Sequence, residues 1–271
     1  MIKLVATDMD GTFLNSDKEF DPRFIHVFHE LNKLGIKFVV ASGQQYYRLY
    51  QRFIPMSENM CFIAENGTFV AMGSQKLFAN EMKRELVNQA VDIIEKTPRI
   101  FMIMCGAKGA YIEKKYKDYE YEVKKYYCMY EFVDSFDDVD DEIIKLAIYD
   151  PNYNISELLD DVLKQLPKEL KIVTSGNEWM DITNKEANKG LSMTFLQEYL
   201  GIHDYESVAF GDQMNDYELL QSVKYSFAME NAVDAIKEIA YDIVPSNIEQ
   251  GVLIKLEEII QNNGEITEKK F

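Results

Sequence analysis

The chain has 271 residues, of which 47% are hydrophobic and 28% are charged. This length suits one large domain or two smaller ones, and the hydrophobic content supports a sizeable core, which excludes a mainly disordered chain. The 46 acidic residues outnumber the 29 basic ones, so the formal net charge is −17. A field of this sign repels nucleic acid, anionic membranes and phosphate groups, so an enzyme that acts on phosphate esters would need local positive charge.

The cysteines and the N-terminal segment indicate the compartment. Cys61, Cys105 and Cys128 form no close pair in the sequence, which argues against a disulfide framework or a zinc site. The apolar run 1–7 is too short for a signal peptide, and no stretch approaches the roughly 18 apolar residues of a membrane span. We therefore expect a cytoplasmic protein that binds neither nucleic acid nor membrane, and its protein partners stay unknown.

The first third of the chain alternates apolar strands with helices. An Asp-Pro pair at 21–22 begins a helix with apolar residues at helical spacing, and Gly35 ends it. Buried strands that alternate with helices are typical of a parallel sheet. The predicted strands are 4–7, 36–41, 60–64 and 68–71, the last two joined by a turn at Asn66-Gly67, and the predicted helices are 21–34, 46–53 and 81–96.

The middle of the chain has a different pattern, with strands in pairs. Two strands around Gly106 and Gly109 predict a hairpin, and this pattern favours an α+β insert with an antiparallel sheet. The predicted strands are 99–104, 110–114, 143–149, 172–174 and 179–182, and the predicted helices are 116–131 and 155–166.

The last third returns to α/β alternation. Its predicted helices are 191–200, 216–221, 233–240 and 252–261, and its predicted strands are 207–210, 225–229 and 242–244. The fold class is therefore α/β, with a core of residues 1–80 plus 187–271 that is interrupted once by an α+β domain of residues 81–186.

The strongest chemical feature is Asp8-Met9-Asp10-Gly11-Thr12, directly after the first strand. Ligands of open parallel sheets bind at the carboxyl ends of strands, and two carboxylates there can hold Mg²⁺, which prefers oxygen ligands. An Asp-rich turn that only caps a loop is an equal alternative for this pattern alone.

Three further motifs lie at strand ends or helix starts. Gly211 to Asp216 follows a strand, and its Asp212 could share a metal with Asp8. Ser42-Gly43 offers a hydroxyl and backbone N–H groups to a phosphate. Lys189 at a helix start is unfavourable with the helix dipole unless it binds an anion or pairs with an acid. Taken singly, each has an ordinary interpretation as a helix cap, a turn or a surface lysine.

Together these motifs make the chain similar to the haloacid-dehalogenase superfamily, and in particular to its Cof-type phosphatases of subclass IIB. The resemblance covers the whole length and includes the weaker hallmarks Glu65-Asn66-Gly67, Asn231-Ala232, Ser246-Asn247 and Gly251. It implies a Rossmann-like parallel-sheet core with an inserted α+β cap that closes over the site.

The resemblance also implies a role for each motif residue. Asp8 would attack phosphorus to form an aspartyl-phosphate, and Asp10 would act as general acid and base. Mg²⁺ would be held by Asp8, Asp212 and the backbone carbonyl of Asp10. The remaining roles fall to residues that would bind the phosphoryl group (Ser42, Gly43, Lys189 and Asn215) and to residues that would support the metal ligands and Lys189 (Thr12, Asn215 and Asp216).

One position departs from the family pattern, since Gln44 stands where relatives often carry arginine after Ser-Gly. This puts the identity of the substrate in doubt, though not the core chemistry. The expected activity is Mg²⁺-dependent hydrolysis of a small phosphate monoester, such as a sugar phosphate or a cofactor phosphate. A phosphomutase and a non-catalytic binding or regulatory protein on the same fold are the alternatives.

Overall fold

The computed structural model describes residues 1–267 except 98–99, 153–154, 156, 158–159, 161, 163 and 176. The chain divides into two compact units, one of residues 1–43, 53–77 and 188–271 and the other of residues 44–52 and 78–187. Residues 44–52, which the sequence analysis placed in the core, thus group with the second unit. The assignment of a catalytic core and a cap to particular residues stays a prediction.

The first unit contains an eight-stranded sheet with the strand order β14-β13-β12-β1-β2-β3-β4-β5. The pairs from β14 to β3 are parallel, whereas β3 and β4 form an antiparallel hairpin. The strands are β1 Leu4–Thr7, β2 Lys37–Ala41, β3 Cys61–Ala64, β4 Phe69–Met72, β5 Gln75–Ala79, β12 Ser207–Gly211, β13 Tyr225–Met229 and β14 Asp242–Val244.

Helices connect the parallel strands of this sheet. They are α1 Phe24–Lys33, α5 Lys189–Leu200, α6 Tyr217–Gln221, α7 Asp234–Ile239 and α8 Gly251–Gln261. Helix α5 begins with an Asn188 cap, whose side chain accepts a hydrogen bond from the Leu191 N–H, and ends at Gly201 with a φ of 65°. These signals are local, which is why the sequence predicts this helix to within two residues.

An aromatic cluster anchors the loop that follows β1. Phe13 is buried and packs edge-on against Phe24 of α1, with ring centroids 4.7 Å apart. The ring centroid of Phe38 in β2 lies 5.8 Å from that of Phe13. Because Phe13 directly follows the motif of residues 8–12, its burial holds that motif against the carboxyl edge of the sheet.

The second unit contains a six-stranded sheet with the order β10-β11-β9-β6-β7-β8. All of its pairs are antiparallel except β7 with β8. Its elements are β6 Phe101–Gly106, β7 Ala110–Glu113, β8 Tyr130–Val133, β9 Ile143–Tyr149, β10 Leu170–Ser175, β11 Trp179–Asn184 and the helices α2 Tyr46–Arg52, α3 Arg84–Ile94 and α4 Glu120–Tyr126.

The predicted fold class is confirmed, and the element predictions fail at two places. The predicted helix 116–131 is wrong, because the segment forms a 3-10 turn at Lys114–Tyr119, helix α4 and then strand β8. Strand β8 is selected by its pairing with β7, from Ala110 opposite Tyr130 onwards, which a local pattern does not reveal. Strand β5 was missed, and five of the twelve residues of the predicted helix 155–166 lie outside the described residues.

No helix in the described part of the chain is both long and apolar enough to cross a membrane.

Candidate active site

The motif residues converge because their strands are parallel neighbours. Thr7 at the end of β1 lies opposite Phe210 of β12, so Asp8 and Asp212 leave adjacent strands at the same edge of the sheet. Strand β2 is the other neighbour of β1 and delivers Ser42 to this edge. Carboxyl ends of parallel strands thus gather residues that are far apart in sequence.

Lys189 stands at the centre of the site and is fully buried. Its Nζ donates to Asp8 Oδ1 at 2.6 Å and to Asp216 Oδ1 at 2.6 Å. A buried ammonium needs partners of opposite charge, and two carboxylates supply them. Residue 190 is glycine for a steric reason: a Cβ there would lie 2.2 Å from the carbonyl oxygen of Glu218.

Both carboxylate oxygens of Asp216 accept hydrogen bonds. Its Oδ1 accepts from Lys189, and its Oδ2 accepts from the backbone N–H groups of Asp212 at 3.0 Å and Gln213 at 3.2 Å. The carboxylate therefore closes the loop after β12 and fixes the ammonium of Lys189. With both oxygens engaged, Asp216 is better suited to hold the other groups in place than to bind a metal directly.

Asp212 is held by a separate contact. The hydroxyl of Thr12 donates to Asp212 Oδ1 at 2.7 Å, and the Gln213 side-chain amide donates to Oδ2 at 3.3 Å. Asp212 thus links the loop after β1 to the loop after β12. Asp212 accepts two hydrogen bonds, of which one is short, whereas Asp216 accepts three, so Asp212 keeps more lone pairs for a metal.

The electrostatics of the site disfavour its negative charges. Burial raises the pKa of Asp8 well above its usual value, the charge of Asp216 raises it further, and Lys189 only partly opposes these effects. Burial also raises the pKa of Asp212, against the hydrogen bond from Thr12. For Lys189, burial works against the charged form, but the carboxylates of Asp216 and Asp8 outweigh it and raise its pKa.

The donor set fits a divalent cation. Asp8, Asp212 and Asp216 are buried and each offers a carboxylate oxygen, with these atoms within 4.8 Å of one another. Three carboxylates against the one ammonium of Lys189 leave two negative charges at the cluster. Hard oxygen ligands with an excess charge of two are the donors that Mg²⁺ prefers.

Asp10 occupies a different environment from Asp8. Its carboxylate is partly exposed and accepts a hydrogen bond from Lys18 Nζ at 2.8 Å. A carboxylate with access to solvent can exchange protons, whereas the buried Asp8 is surrounded by fixed charges. The two acids of the motif therefore have the different surroundings that different roles require.

Two asparagines hold the turn that carries Gly11. The Asn231 side-chain amide donates to the Gly11 carbonyl at 2.8 Å, and the Asn247 N–H donates to Asn231 Oδ1 at 3.1 Å. The Asn247 side chain also donates to the carbonyl of Leu14 at 2.8 Å. These contacts explain why both residues accompany the motif of residues 8–12.

Three of the four predicted phosphate-binding residues, all but Lys189, form a second group. Ser42 is buried, and its carbonyl accepts from the N–H of Asn66 at 3.0 Å. A Cβ at Gly43 would lie 3.0 Å from Asn66 Oδ1, and the Asn215 side chain donates to that same oxygen at 3.2 Å. Asn66, with a φ of 56°, thus connects Ser42, Gly43 and Asn215.

The structure therefore sorts the predicted site residues into two groups of neighbouring residues and one separate acid. Sequence reasoning missed Lys18 and the Thr12–Asp212 contact. Lys18 has no pattern that distinguishes it from a surface lysine, and the partner of Thr12 lies 200 positions away. The first group is Asp8, Thr12, Lys189, Asp212 and Asp216, the second is Ser42, Gly43 and Asn215, and Asp10 stands with Lys18.

Gly11 allows a direct test of this geometry. Gly11 has a φ of 84°, and a Cβ there would lie 2.4 Å from Asp212 Oδ2. Gly35 has a φ of 74° with nothing within 4 Å of its Cβ position. We expect Gly11→Ala and Gly35→Ala each to lose about 1–2 kcal/mol of stability from the left-handed backbone. Only Gly11→Ala should also lower turnover, by roughly 10²-fold, because it displaces Asp212.

Urea unfolding and steady-state phosphate release on the two variants would measure both effects. Equal turnover in Gly11→Ala and Gly35→Ala would show that the position of Asp212 does not matter for activity.

Comparison with known proteins gives one family. A model of the haloacid dehalogenase-like hydrolases matches residues 5–256. Over 270 residues the chain is 36% identical to the 5-amino-6-(5-phospho-D-ribitylamino)uracil phosphatase of Escherichia coli, covering 97% of this chain and 98% of that protein. A phosphatase of the same name from Bacillus subtilis is 24% identical over 276 residues, covering 94% and 96%. A solved structure from Streptococcus mutans has a TM-score of 0.82 at 30% identity, covering 96% and 100%.

Proposed function

Because the chain belongs to the haloacid dehalogenase-like hydrolases and is a phosphatase of that family, we propose that it hydrolyses small phosphate monoesters with Mg²⁺, through an aspartyl-phosphate on Asp8. The observation that carries this proposal is the buried cluster of Asp8, Asp212 and Asp216 around Lys189. It combines a nucleophile, a fixed cation and an excess of two negative charges at one edge of the sheet.

Asp8, Asp212 and the backbone carbonyl of Asp10 would hold the metal. Bound there, Mg²⁺ would keep Asp8 ionised and offset the charge on the phosphoryl oxygens. Asp216 would act through its hydrogen bonds to Lys189 and to the backbone of the loop after β12. The negative field of the whole chain makes these local positive charges necessary for phosphate to bind.

In the first step, a carboxylate oxygen of Asp8 attacks phosphorus in line with the ester oxygen. The bond between phosphorus and the ester oxygen breaks as the new bond to Asp8 forms, and Asp10 donates a proton to the departing alkoxide. Lys189, fixed between two carboxylates, neutralises charge that develops on the phosphoryl oxygens. Ser42 and the N–H groups beside Gly43 orient those oxygens.

In the second step, Asp10, now ionised, takes a proton from a water molecule. The water oxygen bonds to phosphorus, the bond from phosphorus to Asp8 breaks, and inorganic phosphate leaves. The reaction is balanced, since Asp10 ends protonated as it began. The partial exposure of Asp10 suits a group that exchanges protons with substrate and water in turn.

The first substrate to test is 5-amino-6-(5-phospho-D-ribitylamino)uracil, because two relatives from different bacteria carry that activity in their names. We propose a small cytoplasmic phosphate monoester of this kind, with sugar phosphates and cofactor phosphates as the other members of the panel. Phosphate release would be measured with Mg²⁺ and with EDTA. Activity in EDTA equal to that in Mg²⁺ would contradict the metal-dependent reaction.

Metal binding can be measured without turnover. We expect Mg²⁺ at about 100 times its dissociation constant to stabilise the protein by about 2.7 kcal/mol, because the cluster binds the ion only when folded. Asp212→Asn should lose most of this gain, since it removes one ligand and one charge. Differential scanning calorimetry with and without Mg²⁺ would measure it, with the exposed Asp234→Asn as the matched control. A full Mg²⁺ response in Asp212→Asn would remove Asp212 from the ligand set.

A further inference from the structure

The turn between β3 and β4, in the first unit, has an unusual backbone. Glu65, Asn66 and Gly67 have φ values of 52°, 56° and 92°, so three consecutive residues are left-handed. Glycine and asparagine tolerate this conformation, whereas a glutamate there brings its Cβ close to the following carbonyl oxygen. Thr68 holds the turn closed, because its N–H and its hydroxyl donate to the Glu65 carbonyl at 3.3 and 3.0 Å. Such strain persists where the surrounding structure fixes it, and it is common at functional sites.

One side of this turn contacts the proposed phosphate-binding group of Ser42, Gly43 and Asn215. The N–H of Asn66 donates to the Ser42 carbonyl at 3.0 Å, and Asn66 Oδ1 accepts from the Asn215 side chain at 3.2 Å. Ser42 is also fixed to the sheet, since its N–H donates to the Ile63 carbonyl of β3 at 2.8 Å. Asn66 is therefore the common partner of Ser42 and Asn215.

The other side of the turn contacts the first turn of α5, which carries Lys189. The hydroxyl of Ser192, which is fully buried, donates to the Gly67 carbonyl at 2.7 Å. Ser192 follows Lys189 by three positions and so lies on the same side of the helix. The two backbones also lie close together, because a Cβ at Gly67 would be 2.2 Å from the Asn188 carbonyl oxygen. The turn is thus fixed to the helix that holds Lys189.

The hydroxyl of Ser192 bonds a distant acceptor although a local one exists in helices. Serine and threonine in a helix can bond the carbonyl four positions earlier, as Thr194 does with Gly190 at 3.1 Å. The acceptor of Ser192 instead lies 125 positions away in the sequence. Because Ser192 has no part in the reaction described above, its buried hydroxyl serves to join α5 to the turn.

We propose that the turn 65–67, held by Ser192, sets the spacing between Lys189 and the phosphate-binding group. This inference rests on the proposed function. Asn66 and Ser192 act through other side chains, so both are positioning residues. A cation and several hydrogen-bond donors must meet one phosphoryl group at the same time, so a small shift between them lowers the rate of the chemical step.

Replacing Ser192 with alanine tests the contact with α5. With Mg²⁺ and phenyl phosphate, we expect kcat of Ser192→Ala to fall about 10- to 100-fold, because Lys189 shifts away from the phosphoryl group. KM should stay near the wild-type value, since the weakened interaction forms mainly in the transition state. Thr194→Ala is the matched control, because it removes a hydroxyl that is bonded within the same helix, and it should keep the wild-type kcat. Equal kcat values in the two variants would overturn the proposal.

A second variant tests the other side of the turn and does not depend on how well Ser192→Ala folds. Asn66→Gly tolerates the left-handed backbone but removes the acceptor of Asn215, and it should lower kcat by about 10-fold. Because both changes act through one turn, the double variant should lose little more than the worse single variant, whereas independent effects would multiply.

Two results would overturn the proposal in this second experiment. One is multiplied losses in the double variant, and the other is a wild-type kcat in an Asn66→Gly protein that urea unfolding shows to be folded. Failure of the wild type to release phosphate with Mg²⁺ from phenyl phosphate and from every ester of the substrate panel would instead overturn the proposed function.

Discussion

Replacing Asp8 with asparagine is expected to abolish turnover while making the metal-free protein harder to unfold. Turnover should fall by at least about 10⁴-fold, because no carboxylate remains to attack phosphorus. In EDTA at pH 7 the melting temperature should rise by about 2–4 °C, the shift that roughly 1 kcal/mol gives in a chain of this size. The gain arises because burial and the charge of Asp216 disfavour the ionised form of Asp8.

The sign of the pH dependence follows from the raised pKa of Asp8. The protonated carboxyl is favoured in the folded state, so its contribution to stability is present below the usual value of 3.8 and is lost as pH rises through the folded value. The neutral amide of the Asp8→Asn variant does not titrate, so this variant would not lose that stability as pH rises. The advantage of this variant should therefore be present at pH 7 and vanish near pH 3.

Acid-quenched mass spectrometry gives an independent measurement. The wild type, mixed rapidly with substrate, should carry one phosphoryl group on the peptide that contains Asp8, and Asp8→Asn should carry none. Asp17→Asn, an exposed acid in the following loop, serves as the matched control. A phosphorylated peptide elsewhere, or full turnover by Asp8→Asn, would refute the role of Asp8.

Replacing Lys189 with methionine should have the opposite effect on stability. Methionine fills a similar volume but leaves Asp8, Asp212 and Asp216 without their buried cation. Breaking a buried pair costs about 3–5 kcal/mol, so the melting temperature in EDTA should fall by roughly 10 °C. Turnover should fall by about 10³-fold, because a fixed charge near the phosphoryl group is lost. Mg²⁺ should restore part of the stability but little of the activity.

Two controls isolate the cause of the Lys189 effect. Lys185→Met changes an exposed lysine four positions earlier and should melt like the wild type. In the double variant Lys189→Met/Asp8→Asn, one of the facing carboxylates is also gone, so it should be more stable than Lys189→Met alone. Scanning calorimetry in EDTA would compare the four proteins. A wild-type melting temperature for Lys189→Met would mean that the ammonium does not neutralise the cluster.

The parallel core was predictable because its signals are local. The strand Leu4–Thr7 is a short apolar run with a polar stop, and Gly201 ends α5 as a left-handed cap. The segment 116–131 was not predictable in this way. Its tyrosines and charges suit a helix, but the strand Tyr130–Val133 exists because β7 offers it a partner.

The sequence predicted which motif residues the fold brings close together, but not the contacts between them, and their roles stay a prediction. Asp8 and Asp212 belong to motifs that follow strands, and parallel strands present such residues at one edge, whereas Lys189 was selected by its unusual position at a helix start. The hydrogen bond from Thr12 to Asp212 and that from Asn231 to the Gly11 carbonyl span 200 and 220 positions. Pairings of that kind depend on how loops meet after folding, which no local pattern encodes.

The central position of β1 has a consequence for synthesis on the ribosome. Leu4 of β1 pairs with Lys37 of β2 on one side and with Ser207 of β12 on the other. Ser207 is synthesised 203 residues after Leu4. Until then β1 has an open, apolar edge of the kind that recruits other chains. Because Lys189 and Asp212 also belong to the last third of the chain, we expect a chain released early to be inactive and prone to aggregate. Completion of the sheet and assembly of the proposed catalytic charges thus both wait for the last third of the chain.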